Sequence, residues 1–124
     1  MNYKIYHNPR CAKSREGLDF LQEHVTSPQD IEIQLYLKEP ILSVTLLQEI
    51  VSSLHKDQSI LDMVRTTEKI WKDNDKALYK ENKLTTLAIL EAIVAHPKLL
   101  QRPIVLTPTQ SLVARPKEKI LEIL

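Results

Sequence analysis

Hydrophobic and polar positions follow different periods along the first forty residues. Residues 3–7 combine aromatic and β-branched side chains and predict a short strand. Apolar residues recur three and four apart from about Ala12 to Val25, which indicates a helix. From Ile31 to Leu37 single apolar and polar residues alternate, which predicts a second strand whose odd-numbered side chains face the core. Strand, helix and strand in this order need a crossover, so we expect the two strands to be parallel.

The stretch from about residue 40 to residue 100 has a helical pattern. Ser43 is placed to cap a helix with an apolar stripe from Leu46 to Leu54, and Thr85 to cap another that carries Leu87, Leu90, Ile93 and Val94. Shorter helical segments are predicted around residues 58–65 and 74–81. The middle of the chain is therefore expected to be a helical block without strands.

The last twenty residues predict a hairpin and a helix. Residues 104–106 and 112–114 are apolar and flank a turn at 107–110. Pro116 suits the first turn of a final helix that would bury Ile120, Leu121 and Leu124. The element order predicts an α/β fold, a thioredoxin-like four-stranded mixed sheet with flanking helices and an inserted helical subdomain. We expect one domain over 1–124, with its core at about 1–40 and 101–124 and the insertion at about 41–100.

Composition narrows the classes of function. The chain has 124 residues, 43% hydrophobic and 27% charged, as in a globular domain. A net charge of +1 gives no field that would hold nucleic acid or an anionic membrane surface. The single glycine, Gly17, excludes a dinucleotide fingerprint and a P-loop. No apolar run approaches the roughly 18 residues of a membrane span, and the N-terminus lacks a signal-peptide pattern, so we expect a cytoplasmic protein.

Cys11 is the only cysteine, which excludes an intrachain disulfide and the usual structural zinc sites. It lies where the first strand gives way to the first helix, so backbone N–H groups and the helix dipole should favour its thiolate. Arg10 and Lys13 add positive charge nearby. The alternative is a small buried hydrophobic residue, which is the ordinary role of a lone cysteine.

Three neighbours of Cys11 are candidates for the same site. Ser14 stands where a dithiol protein has its second cysteine, and it can donate a hydrogen bond to the thiolate but cannot form a disulfide. A thiol from another molecule must then resolve an oxidised Cys11. His7 can polarise the thiol or shuttle a proton. Arg15 lies one helical turn from Cys11, where it either reaches the site or is a solvated surface charge.

The residues around Cys11 resemble a known family. Tyr6-His7-Asn8-Pro9-Arg10-Cys11-Ala12-Lys13-Ser14-Arg15 is similar to the active-site loop of the glutathione/glutaredoxin-dependent arsenate reductases. Later segments look like that family's later blocks, in order: Leu35-Tyr36-Leu37 with Pro40, Met63-Val64-Arg65, His96 to Leu100, Arg102-Pro103-Ile104-Val105, and Arg115-Pro116 through Leu124. The resemblance covers essentially the whole chain and implies the thioredoxin-like fold.

The resemblance also implies roles for individual residues. Cys11 takes the position of the nucleophile and His7 that of the neighbouring histidine. The positions of the substrate-binding residues fall on Ser14, Arg65, Arg102 and Arg115, and Pro103 corresponds to a cis proline beside the site. The implied reaction reduces arsenate to arsenite through a cysteine–arsenic adduct that glutathione and glutaredoxin resolve. Glutathione is then a co-substrate, and no metal or bound cofactor is needed.

Two other functions are compatible with this type of chain. An Spx-type regulator binds RNA polymerase and senses redox state through a Cys-x-x-Cys pair, which Ser14 removes here. A glutaredoxin-like protein reduces mixed disulfides without arsenate, and the arginines at 65, 102 and 115 would have no evident task in it. From the residues alone, without the resemblance, Arg102 and Arg115 would be interpreted as ordinary surface charges that border the hairpin.

Overall fold

A computed structural model describes residues 3–124, in which one mixed sheet is combined with short helices. The strands are β1 (Tyr3–Tyr6), β2 (Ile31–Gln34), β3 (Ile104–Leu106) and β4 (Ser111–Val113), and the α-helices are α1 (Ala12–His24), α2 (Val44–Ser52), α3 (Lys76–Lys80) and α4 (Thr86–Ala95). Single turns of 3₁₀-helix lie at Pro28–Asp30, Ile60–Met63 and Pro97–Leu99, a longer one at Lys117–Glu122, and a π-helical turn at Trp71–Asp75. Within 3–124 we find no helix with the length and apolar character to cross a membrane.

The sheet has the order β2-β1-β3-β4, with β1 and β2 parallel and the other neighbours antiparallel. This arrangement confirms the predicted four-stranded mixed sheet. It also brings the end of β1, which leads to Cys11, next to the start of β3, which follows Arg102. The site residues from the two ends of the chain therefore meet at the end of the sheet where β1 finishes and β3 begins.

Each face of the sheet has its own core, because side chains alternate along a strand. Tyr6, Ile104 and Val113 are cross-strand neighbours that face a core formed with the helices between β2 and β3. Ile5, Val105 and Leu112 face the opposite way and pack with residues of α1 and the C-terminal 3₁₀-helix. The sheet thus separates the helical middle of the chain from α1.

The predicted second strand is too long and its buried face is wrong. The strand ends at Gln34, and the chain then turns, with the Lys38 and Glu39 N–H groups both bonded to the Leu35 carbonyl. Ile33 is 43% exposed, whereas Tyr36 is only 1% exposed. The physical reason lies in β1, the one strand that pairs with it among residues 3–124. The N–H of His7 still bonds to the Gln34 carbonyl, but the chain then turns away at Pro9, so that Leu35 has no partner on a neighbouring strand in the described part of the chain.

The residues that cap α2 and α4 were predicted correctly, but some of the positions predicted to form the apolar faces of helices are exposed. Ser43 Oγ accepts from the Leu46 N–H at 3.1 Å, and Thr85 Oγ1 accepts from the Ala88 N–H at 3.0 Å. Leu87 is nevertheless exposed, and the final helix is a 3₁₀-helix after Pro116. The tighter turn buries Ile120 and Ile123, and it leaves two leucines that were predicted to be buried, Leu121 and Leu124, exposed.

Candidate active site

Cys11 is the N-cap residue of α1, with extended backbone angles and no capping hydrogen bond from its side chain. Its N–H bonds to the Asn8 carbonyl, and its own carbonyl accepts from the Arg15 N–H, both at 3.0 Å. The loop therefore fixes the backbone of Cys11 and leaves the sulfur free to meet the first N–H groups of the helix. The thiol is partly buried.

Two arginines from the other end of the chain act on this thiol. Arg115 Nη2 lies 3.7 Å from Cys11 Sγ, and Arg115 Nε donates to the Arg102 carbonyl at 2.8 Å. The Arg102 side chain is only 7% exposed. Its Nη1 donates to the Lys98 carbonyl at 3.3 Å, while its buried Nε has no hydrogen-bond partner among the described residues. A buried guanidinium N–H without a partner is rare in a folded protein, and this one belongs to an arginine that also lowers the pKa of Cys11.

These contacts change the acidity of the thiol. Burial, the largest single influence, raises the pKa of Cys11. The Ser14 N–H, the guanidinium groups of Arg115 and Arg102 and the Lys13 N–H lower it, and together they bring the pKa to about 7. About half of the molecules then carry a thiolate at neutral pH, against a few per cent for a free cysteine with a pKa near ~8.5. The thiol is thus prepared for nucleophilic attack.

His7 acts next to Ser14 and has no hydrogen bond to the thiol in the described part of the chain. His7 is buried, and its Nδ1 lies 2.7 Å from Ser14 Oγ, which also accepts from the Asn8 N–H at 3.0 Å. Burial, followed by the positive charge of Arg15, lowers the pKa of His7, so the ring is neutral at pH 7. Ser14 therefore connects the two residues: its hydroxyl holds His7, and its N–H, in place of the predicted hydroxyl, faces the thiol.

The other charges near the loop do different things. Arg15 Nη1 donates to the Pro9 carbonyl at 2.9 Å and so braces the loop from outside. Lys13 pairs with Glu16 at 3.8 Å on the exposed face of α1. Arg10 lines the larger of two cavities near the loop, which is called the cleft below. None of these three side chains contacts the sulfur in residues 3–124.

Arg65 belongs to the helical middle of the chain and is held in another way. Its N–H bonds to the Leu99 carbonyl at 2.7 Å, and its Nη1 pairs with Glu68 Oε1 at 3.0 Å. Its charge acts on the phenol of Tyr36, where it opposes the effect of burial on the pKa, as that of Arg102 does. The structure therefore brings Arg102 and Arg115 to the thiol, and gives Arg65 a carboxylate partner of its own.

Sequence reasoning missed two residues that shape the site. Tyr36 is buried beside Arg102, whose charge partly opposes the effect of burial in raising the pKa of the phenol. Gly17 packs directly on Pro103, since a Cβ at this position would come within 2.5 Å of the proline Cγ. Its position in the middle of a helix, where glycine is unfavourable by about 1 kcal/mol, was the signal that could have identified it.

Two cavities are bordered by Arg102 and Arg115, and Cys11 is not among the lining residues of either. The larger has a volume of about 820 Å³ and is lined by His7, Asn8, Pro9, Arg10, Leu35, Leu37, Lys38, Glu68, Lys98 and Arg102. The smaller, of about 270 Å³, is lined by Arg115 and residues of the α1 and C-terminal segments. The two arginines that lower the pKa of Cys11 thus border different cavities.

The one group of described side chains with the spacing of metal ligands lies elsewhere. His55, Asp57 and Glu122 bring their ligand atoms within 4.8 Å of one another. Both nitrogens of the buried His55 ring are already engaged, Nδ1 by the Asp57 N–H at 3.2 Å and Nε2 by Glu122 Oε1 at 3.3 Å. Hydrogen bonding accounts for this cluster, and it includes none of the residues at the thiol.

A family model described as the ArsC family matches residues 6–123, from the loop to the C-terminal 3₁₀-helix. The chain belongs to this family. It is 38% identical over 125 residues to an arsenate reductase of Haemophilus influenzae, with complete coverage of both chains. It is also 38% identical over 120 residues to the Escherichia coli protein YfgD, described as uncharacterized, with coverage of 97% of this chain and 94% of the relative.

Solved structures of this family have the same fold. An arsenate reductase from Vibrio cholerae superposes with a TM-score of 0.77 at 31% identity, covering 100% of this chain and 98% of the other. The predicted family and the thioredoxin-like fold class are both confirmed by these similarities.

Proposed function

We propose that this protein reduces arsenate to arsenite with Cys11 as the nucleophile. The observation that supports the proposal best is a thiol with a pKa of about 7 between two guanidinium groups, one of which has a buried N–H without a partner. An oxyanion bound there would satisfy Arg102 Nε and bring its central atom to the sulfur. Because a thiolate repels an anion, fixed positive charges are needed to hold the two together.

The first step forms a sulfur–arsenic bond. The Cys11 thiolate attacks arsenic, an oxygen leaves as water after it takes up a proton, and arsenic remains in the +5 state. Arg102 and Arg115 hold the remaining oxygens, and the positions of His7 and Ser14 keep the N–H of Ser14 directed at the sulfur. Arg65 completes the set of substrate-binding residues if its pair with Glu68 opens on binding.

The second part of the reaction needs two thiols from outside, because the chain has one cysteine. A glutathione thiol bonds to arsenic with loss of a second water. A second thiol, which we assign to glutaredoxin, attacks that glutathione sulfur. A disulfide forms, the arsenic–sulfur bond breaks, and its electron pair stays on arsenic, which becomes arsenic(III). Water then releases arsenite from Cys11. In sum, arsenate and two thiols give arsenite, one disulfide and one water.

This scheme uses glutathione as a co-substrate and requires no bound cofactor or metal. It fits a protein that works in the cytoplasm, where small thiols are kept reduced. The partners are then arsenate or a similar oxyanion, glutathione and glutaredoxin.

The direct test is an arsenate-dependent assay that follows NADPH oxidation through glutathione reductase, with glutathione and glutaredoxin present. We expect multiple turnovers with the wild-type protein and none with Cys11→Ser. Omission of glutathione should stop turnover even with excess arsenate. Sustained turnover without an added thiol would contradict the mechanism.

Two outcomes would favour the other functions considered. Reduction of glutathione mixed disulfides without any arsenate turnover would indicate a glutaredoxin-like protein. Capture of RNA polymerase by the wild-type protein, with no thiol-dependent activity, would indicate a regulator of the Spx type. The arginine pair at the sulfur is the feature that neither alternative explains.

A further inference from the structure

Three consecutive backbone carbonyls, those of residues 98–100, each accept a hydrogen bond from a different residue of the site. The first accepts from Arg102 Nη1 at 3.3 Å, the second from the Arg65 N–H at 2.7 Å, and the third from the Tyr36 hydroxyl at 3.4 Å. Neighbouring residues of a chain are only about 3.8 Å apart. One short segment therefore brings Tyr36 next to Arg102 and to the backbone of Arg65.

Tyr36 is the residue of this group that has no task in the mechanism above. Its side chain is almost fully buried. The distance of 3.4 Å to the Leu100 carbonyl is long for an O–H donor, whose usual distance is about 2.7–2.8 Å. A phenol oxygen can also accept, and buried polar atoms are in general hydrogen-bonded. The hydroxyl is therefore open to a donor from a second residue.

The pKa of the phenol identifies that donor. Burial raises the pKa of Tyr36, and Arg102 lowers it both through its charge and as a hydrogen-bond donor. The charge of Arg65 also lowers the pKa, whereas that of Cys11 raises it. Arg102 is likewise a hydrogen-bond donor that lowers the pKa of Cys11. Its guanidinium group thus links the phenol to the thiol.

Arg102 needs such a partner because its charge is buried. No carboxylate in the described part of the chain forms an ion pair with it, and its Nε has no hydrogen-bond partner there. A buried charge is costly unless polar groups hold it. A phenol with a raised pKa stays neutral at pH 7, so it can accept from the guanidinium without offsetting the positive charge. That charge then remains to stabilise the thiolate.

We propose that Tyr36 is a positioning residue for Arg102, and that its neutral hydroxyl holds the buried guanidinium in the orientation in which it acts on Cys11. Tyr36 has no hydrogen bond to the sulfur within residues 3–124, so it acts through Arg102. The effect on arsenate turnover rests on the proposed function. The effect on the thiol does not, and it can be measured without arsenate.

Tyr36→Phe removes the hydroxyl and keeps the ring. The guanidinium should then spend less time at the sulfur, so the midpoint of Cys11 alkylation should rise above about 7. We expect iodoacetamide to react about two- to fourfold more slowly at pH 6, and at the wild-type rate on the alkaline plateau, where the thiol is ionised in both proteins. A change in packing alone would not produce this dependence on pH.

Tyr6 provides the matched control. It is a buried tyrosine of the same hydrophobic core, but after burial the groups that act on its phenol are two carboxylates, Glu32 and Glu49. Tyr6→Phe should therefore leave the alkylation profile unchanged. Urea denaturation of both variants checks that each is folded and compares what the loss of a buried hydroxyl does to stability.

A double-mutant cycle tests whether Tyr36 acts through Arg102. In an Arg102→Ala background, Tyr36→Phe should cause no further rise of the alkylation midpoint, because the hydroxyl has no guanidinium left to hold. In an Arg65→Ala background, Tyr36→Phe should have its full effect. With arsenate, Tyr36→Phe alone should lower kcat/KM by about two- to tenfold, the range of one neutral hydrogen bond.

An unchanged midpoint in Tyr36→Phe, or an equal rise in Tyr6→Phe, would overturn the proposal. A lower midpoint would also overturn it, since the phenol would then compete with the sulfur for the guanidinium. Additive effects of Tyr36→Phe and Arg102→Ala would show that the phenol does not act through the arginine. If arsenate is not reduced but the midpoint rises as expected, the proposed function fails and the role of Tyr36 remains.

Discussion

The two parts of the molecule that supply arginines hold them in different ways. Arg102 and Arg115 lie on either side of the β3–β4 hairpin, are joined by a hydrogen bond from Arg115 Nε to the Arg102 carbonyl, and both lower the pKa of Cys11. Arg65, from the helical middle of the chain, pairs with Glu68 three residues later. A backbone carbonyl holds a guanidinium group in place and leaves its positive charge uncompensated. A carboxylate holds the group in place and also neutralises its charge. The charges of the hairpin arginines are therefore not offset by these contacts, while that of Arg65 is offset by Glu68.

The largest expected effect comes from removal of a hairpin arginine. Arg102→Ala or Arg115→Ala should lower kcat/KM with arsenate by about ten- to a hundredfold, since a charge-assisted hydrogen bond contributes about 1.5–3 kcal/mol. Each should also move the midpoint of Cys11 alkylation from about 7 toward that of a free cysteine near ~8.5. Iodoacetamide kinetics across pH measure the second effect. Unchanged midpoints in both variants would show that the arginines do not act on the thiol.

Gly17→Ala should disrupt the packing of α1 on Pro103, just before the first strand of the hairpin. The added methyl would meet Pro103 Cγ at 2.5 Å, and both residues are buried. We expect a loss of about 1–3 kcal/mol in the free energy of unfolding, although alanine is the better helix former. Urea denaturation measures the loss, and Gln22→Ala at an exposed position of α1 is the control. A variant as stable as the wild type would mean that α1 can move away from Pro103 at little expense.

The wild-type thiol should have a pH dependence that sets it apart from an ordinary cysteine. Because the thiolate reacts and the pKa is about 7, alkylation at pH 6 should be about tenfold slower than on the alkaline plateau. The rate should rise through neutral pH and level off before pH 9. A midpoint at or above ~8.5 would return Cys11 to the class of structural cysteines.

Arg65→Ala should separate the two regions. We expect a loss of about three- to tenfold in kcat/KM, smaller than for the hairpin arginines because the pair with Glu68 already offsets part of the charge. The alkylation midpoint of Cys11 should stay at about 7, since its pKa is lowered by Ser14, Arg115, Arg102 and Lys13. A shift of the midpoint equal to that of Arg115→Ala would remove the distinction between the regions.

The smallest effect should come from removal of the negative charge of Glu68, the partner of Arg65. Glu68→Gln frees Arg65 and removes a negative charge from the wall of the cleft. Sulfate, as an unreactive oxyanion, should then bind about two- to fivefold more tightly, which is the range of a partly exposed ion pair. Thermal shift titrations with sulfate measure the change. Weaker binding in this variant would show that Glu68 positions Arg65 for the anion instead of competing with it.

Local features of the site could be predicted, and features set by distant contacts could not. The placement of Cys11 at a helix start and the caps at Ser43 and Thr85 depend on neighbours in sequence. The exposure of Leu121 depends on whether the last helix is α or 3₁₀, which α1 and the sheet determine. A resemblance could indicate Arg65 as a site residue but could not show its pair with Glu68.

The role of Tyr36 illustrates the same limit. Alternation assigned it to the solvent side of a strand, but the strand ends two residues earlier because β1 has turned away. The phenol is then free to enter the core beside Arg102. The length of β1 decides whether Tyr36 lies in a strand or after it. That length is fixed by Asn8-Pro9, far from Tyr36 in the sequence.

The division of the sheet into two cores has a consequence for redesign and for evolutionary change. Cys11 and Arg115 belong to segments that pack with α1, whereas Glu68 and Lys98, on the wall of the cleft, come from the helical middle that packs on the opposite face. Exchange of that middle segment would therefore change the wall of the cleft and the Lys98 carbonyl that holds Arg102, while Arg115 would keep its contact with the sulfur. The contact between Arg115 and Cys11 does not depend on the middle segment, whereas the wall of the cleft does.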